Sequence, residues 1–159
     1  MKYVKVEATG TGDFLDPDRY LGLLPTLVNV LPPGARAFSV DPDHYNFFSR
    51  RCVKDLKPDT LLRGETVGED WLQLGFRHNC WKHEEDLSIR YLGISSLSLD
   101  TINELDWASF HAVTLDEILP HKHGCSHEIG FLDRSLTVVS RDLIATWTEA
   151  DCPDKPPRS

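Results

Sequence analysis

The sequence is poor in the features that announce a membrane, a nucleic acid or a nucleotide. No apolar run approaches the roughly 20 residues that a membrane-spanning helix needs. Basic residues are outnumbered, with 17 Lys and Arg against 25 Asp and Glu and a net charge of −8, so the surface is ill suited to displacing counterions from phosphates. There is no phosphate-binding glycine loop, because Gly10-Thr11-Gly12 lacks a third glycine and a strong following helix. The four cysteines, Cys52, Cys80, Cys125 and Cys152, form no CxxC pair and are expected to be reduced thiols. The opening MKYVKVEATG has lysines among its valines rather than the apolar centre of a secretion signal, which points to the cytoplasm.

What is present is enough for one globular domain. The chain has 159 residues, 40% hydrophobic and 26% charged. The domain is expected over residues 1–150, and the proline-rich, charged residues 151–159 as a disordered tail. Lys2 to Ala8 alternates as a half-buried strand, and Asp16-Pro17 offers a helix start. Leu21, Leu24 and Val28 share a helical face that Pro25 should kink. Pro32-Pro33-Gly34 reads as a helix stop, Ala35 to Val40 as a short strand, and Asp41-Pro42-Asp43 as the start of a helical turn over 44–48. From Trp71 onward alternation dominates. Leu72, Leu74 and Phe76 form one strand, Leu87, Ile89 and Tyr91 another, with Gly93 permitting a bulge. His111 to Leu119 reads as a further strand, 100–106 as a loop, and Ile129 to Val138 as a hairpin turning at Asp133-Arg134, with a short helix after Ser140. The expected fold is α+β: a twisted antiparallel meander with one or two helices from the N-terminal third packed on one face.

Three constellations bear on chemistry. His121, His123, Cys125 and His127 fall at every second position, which in an extended chain places them on one face, where imidazole and thiolate suit zinc. A second set, His78, Cys80 and His83, with Glu84, offers similar donors. Cys125, His127 and Asp142 supply the residue types of a nucleophilic triad without the flanking signature of one, so no catalytic residue is assigned. The acidic runs Glu84-Glu85-Asp86 and Asp116-Glu117 are the contact candidates for a basic protein partner. The cluster Arg50, Arg51, Lys54 and Lys57 is too small for a nucleic-acid footprint. Arg141 and Asp142 are assigned structural roles, Arg141 as a fork on a sheet carboxylate and Asp142 as a cap of the closing turn.

The segment Leu87 to Leu97, a strand, a glycine break and a second strand, followed by the closing hairpin ending at Trp147, resembles small sheet-rich immunity proteins of bacterial polymorphic toxin systems. The resemblance spans roughly residues 71–147 and rests on hydrophobic alternation. It implies a compact, acidic protein that binds and blocks a cognate toxin and carries out no reaction. Two functions therefore compete. One is non-enzymatic binding of a basic protein, such as a toxin; the other is a zinc-binding protein or metal-dependent hydrolase using the His121–His127 stretch. Neither involves nucleic acid or membrane.

Overall fold

A computed structural model of the chain describes residues 1–10, 12–98 and 104–151. The expected tail therefore lies outside the described residues except for Asp151, as do Cys152 and the first part of the expected loop at 100–106.

The architecture is α+β. A two-stranded hairpin, β1 (Lys5–Thr9) and β2 (Gly12–Asp16), opens the chain. It is followed by α1 (Asp18–Leu27), a 3₁₀ turn over Val28–Val30, and α2 (Pro33–Ser39). Six strands then build one antiparallel sheet: β3 (Lys57–Thr66), β4 (Glu69–Arg77), β5 (Glu85–Ser98), β6 (Val113–His121), β7 (Gly124–Phe131) and β8 (Ser135–Glu149). A single helical turn, α3 (Glu104–Trp107), stands between β5 and β6. The strand order β3-β4-β5-β8-β7-β6 is two meanders joined back to back along the β5–β8 seam.

Alternation explains most of the sheet. Leu72, Leu74 and Phe76 of β4, and Leu87, Ile89 and Tyr91 of β5, are buried, while the residues between them face outward. The β3–β4 connection is a two-residue turn with Val67 at φ 54° and Gly68 at φ 74°, the left-handed pair that matches the twist of a hairpin. Gly93, at φ 65°, and the register shift between Ile94 and Ser96 mark the expected bulge. The two edges of the sheet meet at one corner. There Asp55 donates its N–H to the Val113 carbonyl at 2.9 Å, and Val113 donates to Leu56 O at 2.8 Å.

Beside this corner the core is aromatic. Trp107 is fully buried, with ring centroids 5.3 Å from Phe76, 5.4 Å from Phe110 and 5.7 Å from Phe131. Such pairs contribute roughly 0.5–1.5 kcal/mol each beyond the area they bury. Trp71 and Trp147 are half-buried and Trp81 is exposed, so of the four only Trp107 is a central anchor.

Several sequence expectations are corrected here. Pro32-Pro33-Gly34 begins a helix rather than stopping one, and Ala35 to Val40 is largely α2, not a strand. Pro33 occupies the first helical position, where its missing N–H is no loss. The free N–H groups of Gly34 and Ala35 are taken by Asp142 of β8, at 3.1 and 2.9 Å. Gly34 is required there, since a Cβ would lie 1.9 Å from the Leu143 carbonyl oxygen. Asp142 thus caps a remote helix, not its own turn. Chain after Ser140 continues as strand to Glu149 instead of turning helical, because Leu143 still pairs with Tyr91 in the core. α1 runs through Pro25 and ends in the 3₁₀ turn. Its first amide, that of Asp18, donates to Asp16 Oδ1 at 2.9 Å. The segment at 42–45 is a turn, not a helix. β2 has no clear signature in the sequence, because five residues around Phe14 carry too short an alternation.

Candidate functional site

The densest concentration of titratable chemistry is inside the protein. Asp116, in the middle of β6, is 1% exposed. Its carboxylate receives His44 Nε2 at 2.7 and 2.9 Å and His127 Nε2 at 2.7 Å. His44 comes from the turn after α2, and its Nδ1 lies 2.8 Å from the Phe38 carbonyl. His127 comes from β7, and its Nδ1 lies 2.7 Å from the Tyr91 hydroxyl of β5. The rings of Phe38 and Tyr45 flank His44, at 4.2 and 4.3 Å between centroids.

Hydrogen-bond roles fix the protons. A carbonyl only accepts, so His44 Nδ1 carries a proton; a carboxylate only accepts, so Nε2 carries one too. His44 is therefore an imidazolium against an Asp116 carboxylate. Tyr91 donates to His127 Nδ1, and His127 donates from Nε2. Burial alone would lower the His44 pKa, but the Asp116 charge and hydrogen bond, then the Phe38 carbonyl and Asp41, raise it above the ordinary value. Burial alone would raise the Asp116 pKa, but the His44 charge and the two histidine hydrogen bonds hold it well below the usual carboxylate range. Burial, and then the Asp116 charge, push Tyr91 and Tyr45 well above the ordinary phenol. Tyr20 rises to about 12, with burial the main cause.

The edge of β6 is sealed by the same residues. The Tyr45 hydroxyl donates to Asp116 O at 2.8 Å and the Tyr20 hydroxyl to Ile118 O at 2.7 Å. Glu117, 3% exposed, accepts the backbone N–H groups of Lys2, Tyr3 and Val4 at 2.7–2.8 Å. The Met1 amine reaches Glu128 Oε2 at 2.7 Å. Each of these groups is satisfied within the protein, so the arrangement locks the turn after α2, β5, β6, β7 and the N-terminal segment together. With His44, Asp116 and His127 each at most 1% exposed, no substrate reaches their donor atoms.

The proposed contact residues Asp116 and Glu117 are therefore corrected: they are core residues. Glu84, Glu85 and Asp86 lie at the surface, half-buried, and are engaged within the chain. Glu84 binds Arg50 at 2.8 Å, Glu85 takes Arg51 in a fork at 2.7 and 2.9 Å, and Asp86 holds His78 Nδ1 at 2.7 Å. The acidic run and much of the basic cluster thus neutralise each other.

The zinc candidates are separated. His121 and His123 stack at the exposed tip of the β6–β7 hairpin, 5.4 Å apart. Cys125 and His127 point into the core, where Cys125 Sγ meets Ser140 Oγ at 3.8 Å. Pro120 to Gly124 forms a tight hairpin, which ends the strict alternation that a shared face requires. In the second set, Cys80 is disulfide-bonded and offers no thiolate, a correction to the expectation of reduced thiols. Cys52 and Cys125 are free and buried. His83 is fully buried; its Nε2 donates to Cys52 O at 2.8 Å, its Nδ1 accepts from Asn79 N at 3.0 Å, and burial lowers its pKa. This second set lies on the connection from β4 to β5, and β8 stands between β5 and β7 in the sheet. Among the described residues no three His, Cys, Asp or Glu side chains are grouped to hold an ion. The triad types are apart as well. Asp142 caps α2, His127 is committed to Asp116 and Tyr91, and burial pushes the Cys125 thiol up to about 11. Arg141 forks on Glu69 at 2.8 and 2.9 Å, as expected.

The surface offers a groove instead. A cavity of about 410 Å³ runs between α1 and residues 39–46, floored in part by Tyr45 and walled by Leu21, Leu24, Val28 and Val40. The α1 stripe is legible in the sequence, whereas its opposite wall is not, because Ala35 to Val40 has a strand-like pattern and forms a helix capped from β8. No protein family, curated protein or solved structure matches the chain.

Proposed function

We propose that this chain is a non-enzymatic protein-binding domain of the immunity type, engaging a basic partner such as a toxin. The observation that carries this reading is the character of its surface. Leu21 and Val40, 37% and 48% exposed, face one apolar groove with Leu24, Pro25 and Val28, on a chain of net charge −8. Exposed apolar side chains grouped in this way mark interaction sites more often than isolated ones do. An acidic field accelerates encounter with a basic protein. The imidazoles and carboxylates best arranged for proton transfer are meanwhile consumed in holding the core.

No helix among the described residues is long and apolar enough to cross a membrane.

The test is immobilisation of the full chain and passage of an extract of the producing cells at low and high salt. A single basic protein retained at low salt, eluted by high salt and forming a defined complex by analytical ultracentrifugation is the expected result. That protein should lose its own activity in the complex. Retention that ignores salt, or only acidic proteins retained, overturns the reading.

A further inference from the structure

The geometry points to the groove between α1 and residues 39–46 as the seat of a short basic amphipathic helix presented by the partner. This rests on the protein-binding reading above and goes further, by naming the site and the chemistry of what fills it.

One wall is a helical stripe. Leu21, Leu24, Pro25 and Val28 stand at i, i+3, i+4 and i+7 of α1 and the turn that follows. At 1.5 Å per residue this stripe is roughly 10 Å long, two helical turns. The opposite wall is Val40 and Pro42. Leu21 is 37% and Val40 48% exposed, so the rims are apolar and open. An incoming helix lays its own i, i+3/i+4, i+7 side chains into such a channel.

Charge selects the flanks. Asp41 lines the groove, Asp43 follows it, and Asp18 stands one turn ahead of Leu21 on the α1 stripe. No basic residue is among the lining. Arg51 forks on Glu85 and also feels the charges of Asp41 and Asp43, offsetting part of the rim. Arg36 donates to Leu31 O at 3.0 Å, and Arg19 lies over the Tyr3 ring at 5.5 Å. A helix with Leu or Phe anchors and flanking Lys or Arg matches both walls and rim; an acidic helix meets repulsion at the same rim.

The experiment is selection of a displayed library of random 16-residue peptides on the full chain, followed by titration of the synthetic winners. The enriched peptides are expected to repeat apolar residues every three to four positions with Lys or Arg beside them. They should bind L21D and V40D at least about tenfold more weakly than wild type. Binding should weaken as salt is raised and on D41K. Both apolar positions are exposed, so unchanged thermal melts will show that the variants fold. Winners without basic flanks, no enrichment at all, or equal binding to L21D and V40D overturns the groove. A basic protein partner that binds wild type, L21D and V40D alike overturns it while leaving the protein-binding reading standing. Groove peptides without any basic partner in the cell overturn that reading and leave the groove.

Discussion

Replacing Asp116 by Asn tests the proton assignment in the core. The variant keeps the shape of the side chain and removes one charge. Its Oδ1 can take the place of Oδ2 and still accept from His127, 2.7 Å away in the native protein. Its Nδ2 then faces His44 Nε2, which must surrender its proton and accept, while Nδ1 continues to donate to Phe38. The loss near neutral pH is therefore modest, about 1–3 kcal/mol, the difference between hydrogen bonds to a charged and to a neutral group. His44→Ala is the harsher change. It leaves the buried carboxylate with a single donor and opens a cavity, costing roughly 3–5 kcal/mol.

The pH dependence separates the two states of His44 more sharply than the magnitude does. In the native protein the folded pKa of His44 is raised, so its contribution is complete below the unfolded value of about 6.5 and is lost as pH rises through the folded value. Asp116 is depressed, so its contribution is present above about pH 3.8 and is lost only as pH falls through the folded value. In Asp116→Asn the folded protein resists protonating His44, while the unfolded chain takes up that proton below about pH 6.5. The penalty should grow by about 1.4 kcal/mol per pH unit as the solution is acidified from there, roughly 2 kcal/mol by pH 5. Urea unfolding of both proteins near pH 8, 6.5 and 5, followed by tryptophan fluorescence, gives the difference directly. Contributions of the histidines that do not touch Asp116 cancel in that difference. A penalty independent of pH, or one that shrinks on acidification, refutes the imidazolium–carboxylate pair.

Other outcomes follow from the packing and the site. Gly34→Ala should destabilise by several kcal/mol, of the order of the larger overpacking penalties, because its methyl meets the Leu143 carbonyl at 1.9 Å. Gly22→Ala, with open space around the new atom in the body of α1, should stabilise by about 0.5–1 kcal/mol. Equal effects in thermal melts would contradict the close approach of α2 to β8. Cys52 and Cys125 are buried with pKa values pushed up, so a thiol reagent near pH 8 should label them only at the rate of unfolding; prompt labelling of either contradicts the burial. Protein purified without tag or chelator should hold well under one zinc per chain by mass spectrometry, since His121 and His123 stand at a hairpin tip away from buried Cys125 and His127. Stoichiometric zinc lost on His123→Ala would revive the metal site.

The sheet was legible because its signal is local. Leu72-x-Leu74-x-Phe76 and Leu87-x-Ile89-x-Tyr91 carry their period in a few residues, and the turn at Asp133-Arg134 interrupts two such runs. The core network was not legible because its members are far apart: Asp116 is 72 residues from His44 and 11 from His127. Asp116-Glu117 looked like a surface patch because adjacent strand residues face opposite ways and one of two acids usually meets water. Here both sides of β6 are covered, and the available hint was the setting, two acids between Leu115 and Ile118 in an otherwise apolar strand. The helix α2 hid for the same reason. Its capping carboxylate belongs to Asp142, more than 100 residues downstream, and no local residue announces it.

The capping of α2 from β8 also bears on how the chain is made. A seven-residue helix is too short to persist alone in water. The acceptor for its first amides does not exist until residue 142 is synthesised, and the β5–β8 seam must wait for the same strand. At roughly 5–20 residues per second, the helical third spends many seconds without its cap or the strand it packs on. During that interval the groove walls at Leu21 and Val40 are not yet set against each other. A nascent chain stalled before β8 should therefore be open to protease across α2, and its protection should appear in one step once the last strand is released.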